Sequence, residues 1–248
     1  MNAGCSLLRV CAATLALALV VPAAACSIAG GQGSVTGSLD VPDCWSGAFN
    51  LSPDFFAAVP YRDQMLLRVQ SGGDYQTFSD GVSILVDDVP RIRGGLLGQA
   101  LPVALAPGVT APGVPVEAVP DPALVHVALY LQRSCRVETP ALYATRAVTL
   151  NADGSCGGPA SAPANCSGSA GSFPPVAAST ITFTNLFSGD PEEAEADRRL
   201  TDATFDVYLA DPREACPGGL GPPPRCRGHL TGSFRFYFQR GKPAQPFP

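Results

Sequence analysis

Phe234-Arg235-Phe236-Tyr237-Phe238-Gln239 alternates apolar and polar side chains without interruption. A period of two puts the phenylalanines on one face of a strand and their neighbours on the other. The same alternation recurs upstream. Val82, Ile84 and Val86 are interleaved with Ser83 and Asp87, Ile181 and Phe183 with threonines 180, 182 and 184, and Phe205, Val207 and Leu209 with Asp206 and Tyr208. Leu124 to Leu131 (LVHVALYL) is apolar on both faces and reads as a central strand. Ser34 to Val41, Gln64 to Gln70, Leu101 to Leu105 and Ala144 to Leu150 complete the set. About eight to ten short strands, separated by Gly/Pro-rich turns, predict an all-β class: a disulfide-bonded β-sandwich or barrel-like domain with long Gly/Pro-rich loops.

Composition agrees. Gly and Pro contribute 26 and 25 of the 248 residues, and charged residues make up 15%, a balance that favours turns and strands over long helices. One helix is expected at Asp190-Pro191-Glu192-Glu193. There an N-cap, a first-turn proline and a capping-box acid precede an i, i+4 pair of Glu195 and Arg199. Val35-Thr36-Gly37-Ser38-Leu39 echoes Leu230-Thr231-Gly232-Ser233-Phe234, as if the first and last strands held similar, paired edge positions. The proline-rich stretch from Pro102 to Pro122 reads as a crossover over the sheet edge, since proline is excluded from a central strand.

Residues 1–25 read as a signal peptide: one positive charge at Arg9, an apolar run from Val10 to Val21, a break at Pro22 and small residues at 23–25. The run is too short for a bilayer span of roughly 20 residues. Ala23-Ala24-Ala25-Cys26 resembles the lipobox of bacterial lipoproteins, with Ala23 in the place usually held by Leu. That resemblance implies a lipidated Cys26, and Ser27 in place of Asp implies the outer membrane, on its periplasmic side or at the cell surface. Residues 26–34 then form a lipidated, flexible tether, and 35–248 a single all-β domain. Two or more acyl chains anchor firmly where one does not.

Cysteine counting supports this division. Of nine cysteines, Cys5 and Cys11 fall in the leader and Cys26 on the anchor. Cys44, Cys135, Cys156, Cys166, Cys216 and Cys226 remain, an even set that in an exported domain implies disulfides. Six cysteines allow 15 connectivities. Spacing favours Cys156 with Cys166 and Cys216 with Cys226, each closing a Pro/Gly-rich loop, and leaves Cys44 for Cys135. The absence of any C-x-x-C pair argues against a cysteine metal site.

The segments Leu51–Pro60 (LSPDFFAAVP), Ser79–Asp88 (SDGVSILVDD) and Arg240–Pro248 (RGKPAQPFP) resemble those of uncharacterised lipoproteins found in number in myxobacteria. The likeness runs through most of the mature chain. It implies an envelope location and carries no functional residue.

Chemistry is sparsely signalled. The chain has no G-x-S-x-G, no H-E-x-x-H, no phosphate-binding glycine loop and no dinucleotide fingerprint. No cofactor or metal ligand set is expected. His126 lies mid-strand and His229 at the start of the last strand, and a satisfied structural histidine is the expected role of each. Asp80, Asp87 and Asp88 flank a strand and read as turn carboxylates before calcium ligands. Asn151 to Ser155 (NADGS) reads as a hairpin turn. Trp45 is expected to pack on the Cys44 disulfide, and Phe55 and Phe56 in the core. Without Arg9 the body holds 15 basic against 21 acidic side chains, with Lys242 its one lysine, which argues against nucleic-acid partners. The sequence therefore predicts a binding or structural module of the cell envelope, its protein or glycan partner unspecified and enzymatic activity not expected. A secreted hydrolase assembled only in three dimensions and a calcium-stabilised adhesin are the alternatives.

Overall fold

Alternation becomes strand wherever the sequence shows it. The computed structural model describes residues 31–71, 79–104, 123–135, 141–158, 176–214 and 223–239. Outside these lie the leader, Cys26, most of the tether, Cys166, Cys216, most of the proline-rich stretch and the segment from Arg240 onward. The strands are β1 (Gln32–Val41), β2 (Trp45–Leu51), β3 (Phe55–Tyr61), β4 (Gln64–Ser71), β5 (Asp80–Val86), β6 (Ala100–Ala104), β7 (Val125–Leu131), β8 (Leu142–Ala144), β9 (Val148–Thr149), β10 (Val176–Ala177), β11 (Thr180–Asn185), β12 (Leu200–Ala210) and β13 (Gly228–Tyr237). The expected strand at 144–150 is divided between β8 and β9. Three strands lie outside the expected set: β2, β3 and the two-residue β10, which pairs only with β9. β2 and β3 stand at the two ends of the large sheet, where β3 can carry Pro60 because its outer side has no ladder to complete.

One sheet of 11 strands contains nearly all of them, in the order β2-β1-β13-β12-β11-β6-β7-β5-β4-β3, with β8 pairing both β12 and β7. The sheet folds back over one main apolar core, with a small second cluster of Val148, Ala210 and Cys226 beside it. Val35, Phe205 and Phe234 from one half join Leu67, Ile84 and Val127 from the other in one buried cluster, and Phe56 of β3 stacks on Phe236 of β13 at 5.7 Å. β1 and β13 pair antiparallel, with Thr36 opposite Thr231, so the two echoing segments lie side by side. Neither is at an edge, because β2 and β12 flank them. The shared glycines have a steric reason: a Cβ on Gly37 would sit 1.9 Å from the His229 carbonyl oxygen, and one on Gly232 would sit 2.4 Å from the Phe205 ring.

Between β12 and β7 the sheet changes width. At one end both β11 and β6 lie between them; at the other, β8 alone bridges them. The ladder along β12 is interrupted where β11 gives way to β8, at Tyr208. The Ser179 hydroxyl fills the gap: it accepts from the Tyr208 N–H at 2.9 Å and donates to the Tyr208 carbonyl at 3.2 Å. Ser179 is 1% exposed, so no water would replace it.

The helix is α1 (Val89–Gly95), not the expected one at 190–199. Asp88 caps it by accepting from the Arg91 N–H at 2.8 Å, and Val89 and Ile92 enter the core. The 190–199 segment has the capping signature without an apolar stripe to bury. It forms turns and a short 3-10 segment at Asp197–Arg199, with Glu193 paired to Arg198.

Disulfides join Cys44 to Cys135, as the spacing predicts, and Cys156 to Cys226, which replaces the expected local pairings. Their Cα separations are 5.1 and 4.8 Å. Cross-chain placement overrides proximity in sequence here. The Cys226 N–H donates to Thr149 O and the Gly157 N–H to Cys226 O, which sets the two segments side by side. The bridges span 91 and 70 residues, so each is worth about 4–5 kcal/mol in the chain-entropy account, more than a short loop closure would provide.

Peptide mapping without reductant is expected to yield Cys44–Cys135 and Cys156–Cys226 linked peptides, and by count a third joining Cys166 to Cys216. A Cys156–Cys166 peptide would contradict the structure. Ser179→Ala should lower unfolding free energy by about 1–3 kcal/mol, because the Tyr208 N–H loses its partner without gaining water and the Tyr208 carbonyl is left with the Thr145 N–H at 3.4 Å. A denaturant midpoint equal to wild type would show that the junction tolerates the loss.

Candidate functional site

Five strands, β11, β12, β13, β1 and β2, present polar residues in register on the outer face of the first half-sheet. Tyr208 of β12 lies opposite His229 of β13, which lies opposite Ser38 of β1 and then Ala48 of β2. The next row runs Thr180, Asp206, Thr231, Thr36 and Asn50, and the one beyond it Thr182, Thr204, Ser233 and Ser34. These are the polar partners of the buried alternation, so the pattern that builds the core also sets out this surface.

The rings of Tyr208 and His229 stack at 4.1 Å with 2° between their planes. Neighbouring strands are about 4.8 Å apart, so the stack runs across the strands and the rings stand upright on the sheet. One face of His229 is covered by Tyr208, and the other looks toward β1 and Ser38. His229 Nε2 lies 2.6 Å from Asp206 Oδ1. A carboxylate only accepts, so Nε2 carries the hydrogen in that bond and the ring orientation is held. Burial, then the Asp206 charge, holds the Tyr208 hydroxyl above its ordinary pKa.

Beside this pair is a groove of about 460 Å³, lined by Ser38 and Asp40 of β1, Ser46 of β2, Ser155 and Cys156 of the 151–158 loop, and the two rings. The loop is pinned at several points. The disulfide ties Cys156 to Cys226. The Gly158 N–H donates to Asp40 Oδ2 at 2.6 Å, and the Gly158 carbonyl accepts from Arg227 Nη1 at 2.8 Å. Arg227 is 1% exposed and paired with Glu214. Gly157 has φ 104°, and a Cβ there would meet Asp40 Oδ2 at 2.6 Å, so only glycine fits. Asn151 to Ser155 is a turn, with the Gly154 N–H donating to Asn151 O and Asp153 accepting from the Ser155 N–H and hydroxyl, but not the hairpin expected, because β9 pairs with the distant β10.

A structural role is expected of both histidines from sequence, and the two separate here. His126 has the structural role expected. It is 6% exposed, its Nδ1 is 3.1 Å from Ala104 O, and its Nε2 is 2.7 Å from Asp87 Oδ2. Both partners are acceptors, so both bonds form together only when each nitrogen bears a hydrogen, and neither nitrogen is left for a nucleophile. His229 is half-buried on the groove wall, with its second nitrogen outside the Asp206 bond. One ring nitrogen meets a carboxylate, as in a hydrolytic triad, but no hydrogen bond joins the other to a groove serine.

Asp80, Asp87 and Asp88 serve three different segments. Asp80 accepts from the Arg133 and Ser134 N–H groups, both at 3.0 Å, and orders the turn before Cys135. Asp87 holds His126 and Gln64, and Asp88 caps α1. Among the described residues no group of three or more His, Cys, Asp and Glu is placed to hold a metal ion. Trp45 packs with Cys44 against the core, its ring edge-on to Phe49 at 5.4 Å, and Phe56 also packs there. No family model, curated protein or solved structure matches the chain.

The second half-sheet, in contrast, hides much of its outer face. Arg68, Gln70, Ser83 and His126 are all buried there. Burial, reinforced by Tyr143, pushes the Tyr130 hydroxyl up to about 12 from 10.0, with Arg68 opposing. The native state therefore keeps this proton at pH values where the unfolded chain has released it, so stability should fall as pH rises from about 10 to about 12. Tyr130→Phe should flatten that part of the alkaline stability curve, as followed by denaturant midpoints. An unchanged slope would place the alkaline loss elsewhere.

Proposed function

We propose that the protein is a cell-envelope lipoprotein, held to the outer membrane through lipids on Cys26, whose rigid β-scaffold works as a binding module. The observation that carries this reading is the pairing of Cys44 with Cys135 and Cys156 with Cys226. Bridges between segments so far apart in the chain belong to an oxidising compartment. The signal-like residues 1–25, the small-residue run before Cys26 and the polar tether supply the route and the anchor. Among the described residues no helix is long and apolar enough to cross a membrane, and the lipid would provide attachment. Recognition would fall to the polar face and groove of the first half-sheet, where a loop is fixed on a rigid support.

Expression in a bacterium with two membranes tests this directly. The wild-type protein should float with outer-membrane vesicles, and its intact mass should show loss of residues 1–25, addition of acyl chains and no free thiols. Cys26→Ser should release it to the soluble periplasmic fraction with the body still folded. A protein that keeps its leader, or whose body thiols are all free, would overturn the reading.

A further inference from the structure

We infer that the groove beside His229 is a carbohydrate site that takes an uncharged pyranose ring, an inference that rests on the reading of the chain as a binding module. A pyranose has an apolar ring face and a rim of hydroxyls, and the groove offers a matching surface for each. The apolar wall is the open face of His229. Tyr208 backs it at 4.1 Å and Asp206 fixes it at 2.6 Å, so the ring is held upright before any ligand arrives. The polar floor and far side bring the Ser38 and Ser46 hydroxyls, which can donate and accept, the Asp40 carboxylate, which accepts, and Ser155, whose hydroxyl already donates to Asp153 and accepts from Asn151 and so offers a ligand only its remaining lone pair. A sugar seated over Ser38 would stack on the imidazole and turn its hydroxyls to these groups.

Charge decides between ligand classes. The lining contains no arginine or lysine, so a phosphate, sulfate or uronate would meet Asp40 without a counter-ion. A cation would find its attraction reduced, because Asp40 Oδ2 is committed to the Gly158 N–H and Asp206 Oδ1 to His229. A neutral polyol meets neither cost. The volume of about 460 Å³ falls in the range of small-molecule sites. The pinned loop and the Cys156–Cys226 bridge keep the walls in place, so little ordering free energy is lost on binding. The hydroxyl rows beyond, Thr231 beside Thr36 and Ser233 beside Ser34, extend the hydrogen-bonding surface toward a second sugar residue.

The test uses full-length protein in detergent and the methyl glycosides of glucose, galactose, mannose and N-acetylglucosamine. Binding is read by saturation-transfer NMR and titration calorimetry. At least one glycoside should bind. His229→Ala should weaken it about tenfold, the scale of one lost ring contact, and Ser38→Val should weaken it too. His229→Phe, which restores a ring, should recover most of the affinity, and Leu97→Ala, on another surface, should leave it unchanged. Thermal melting of each variant separates loss of binding from loss of fold. Absence of binding by all four glycosides, equal binding by His229→Ala, or tighter binding of methyl glucuronide or of tetramethylammonium would each overturn the inference. None of these outcomes alters the acyl mass on Cys26, so the anchor proposal stands or falls separately.

Discussion

The ladder between the first and last strands is the contact on which the rest of the molecule depends. In pairing Gln32–Leu39 with Gly228–Arg235, the chain brings together segments nearly 200 residues apart. Non-local pairing of this kind carries the largest loop-closure cost in a fold. The return comes from both faces of the same strands. Inward, Val35, Leu39, Leu230 and Phe234 join the core. Outward, Ser38 is set beside His229. The glycines at 37 and 232 are what permit so close an approach, since a Cβ at either would collide with backbone or ring atoms.

The same ladder organises the groove. Arg227 and Cys226 immediately precede β13, and both reach across to the 151–158 loop. Asp40, near the end of β1, receives the same loop from the other side. The wall of the site is therefore fixed by residues whose positions are set by strand register, with the buried Arg227–Glu214 pair beneath it. Loss of one partner in such a pair leaves a buried charge uncompensated and is costlier than the pair's net worth, so the wall should tolerate substitution poorly.

Strand identity was legible because period two is a local property. Phe234, Phe236 and their counterparts in β11 and β12 declared their faces without reference to partners. The helix was misplaced because Asp88-Val89-Pro90 and Asp190-Pro191 carry nearly the same capping chemistry. What separates them is the apolar pair Val89 and Ile92, which has a core to enter. The second disulfide was misread because loop length favoured Cys156 with Cys166, whereas the hydrogen bonds linking Cys226 to Thr149 and Gly157 bring a more distant cysteine into place. The groove had a partial signature. Asp206 and Tyr208 stood on the polar side of their strand, and His229 was noted as a lone histidine. That the three meet follows only from Tyr208 lying opposite His229, a register that no local pattern encodes.

The two crosslinks among the described residues also bear on how this chain would respond to a protease. Their loops, 44–135 and 156–226, follow one another without interlacing. A single cut inside either loop leaves both fragments covalently tied and the sheet still paired through its other strands. Only a cut in the short stretch between the loops, or in the tails, can release a piece. Nicked molecules would thus persist as one particle, visible as two only after reduction.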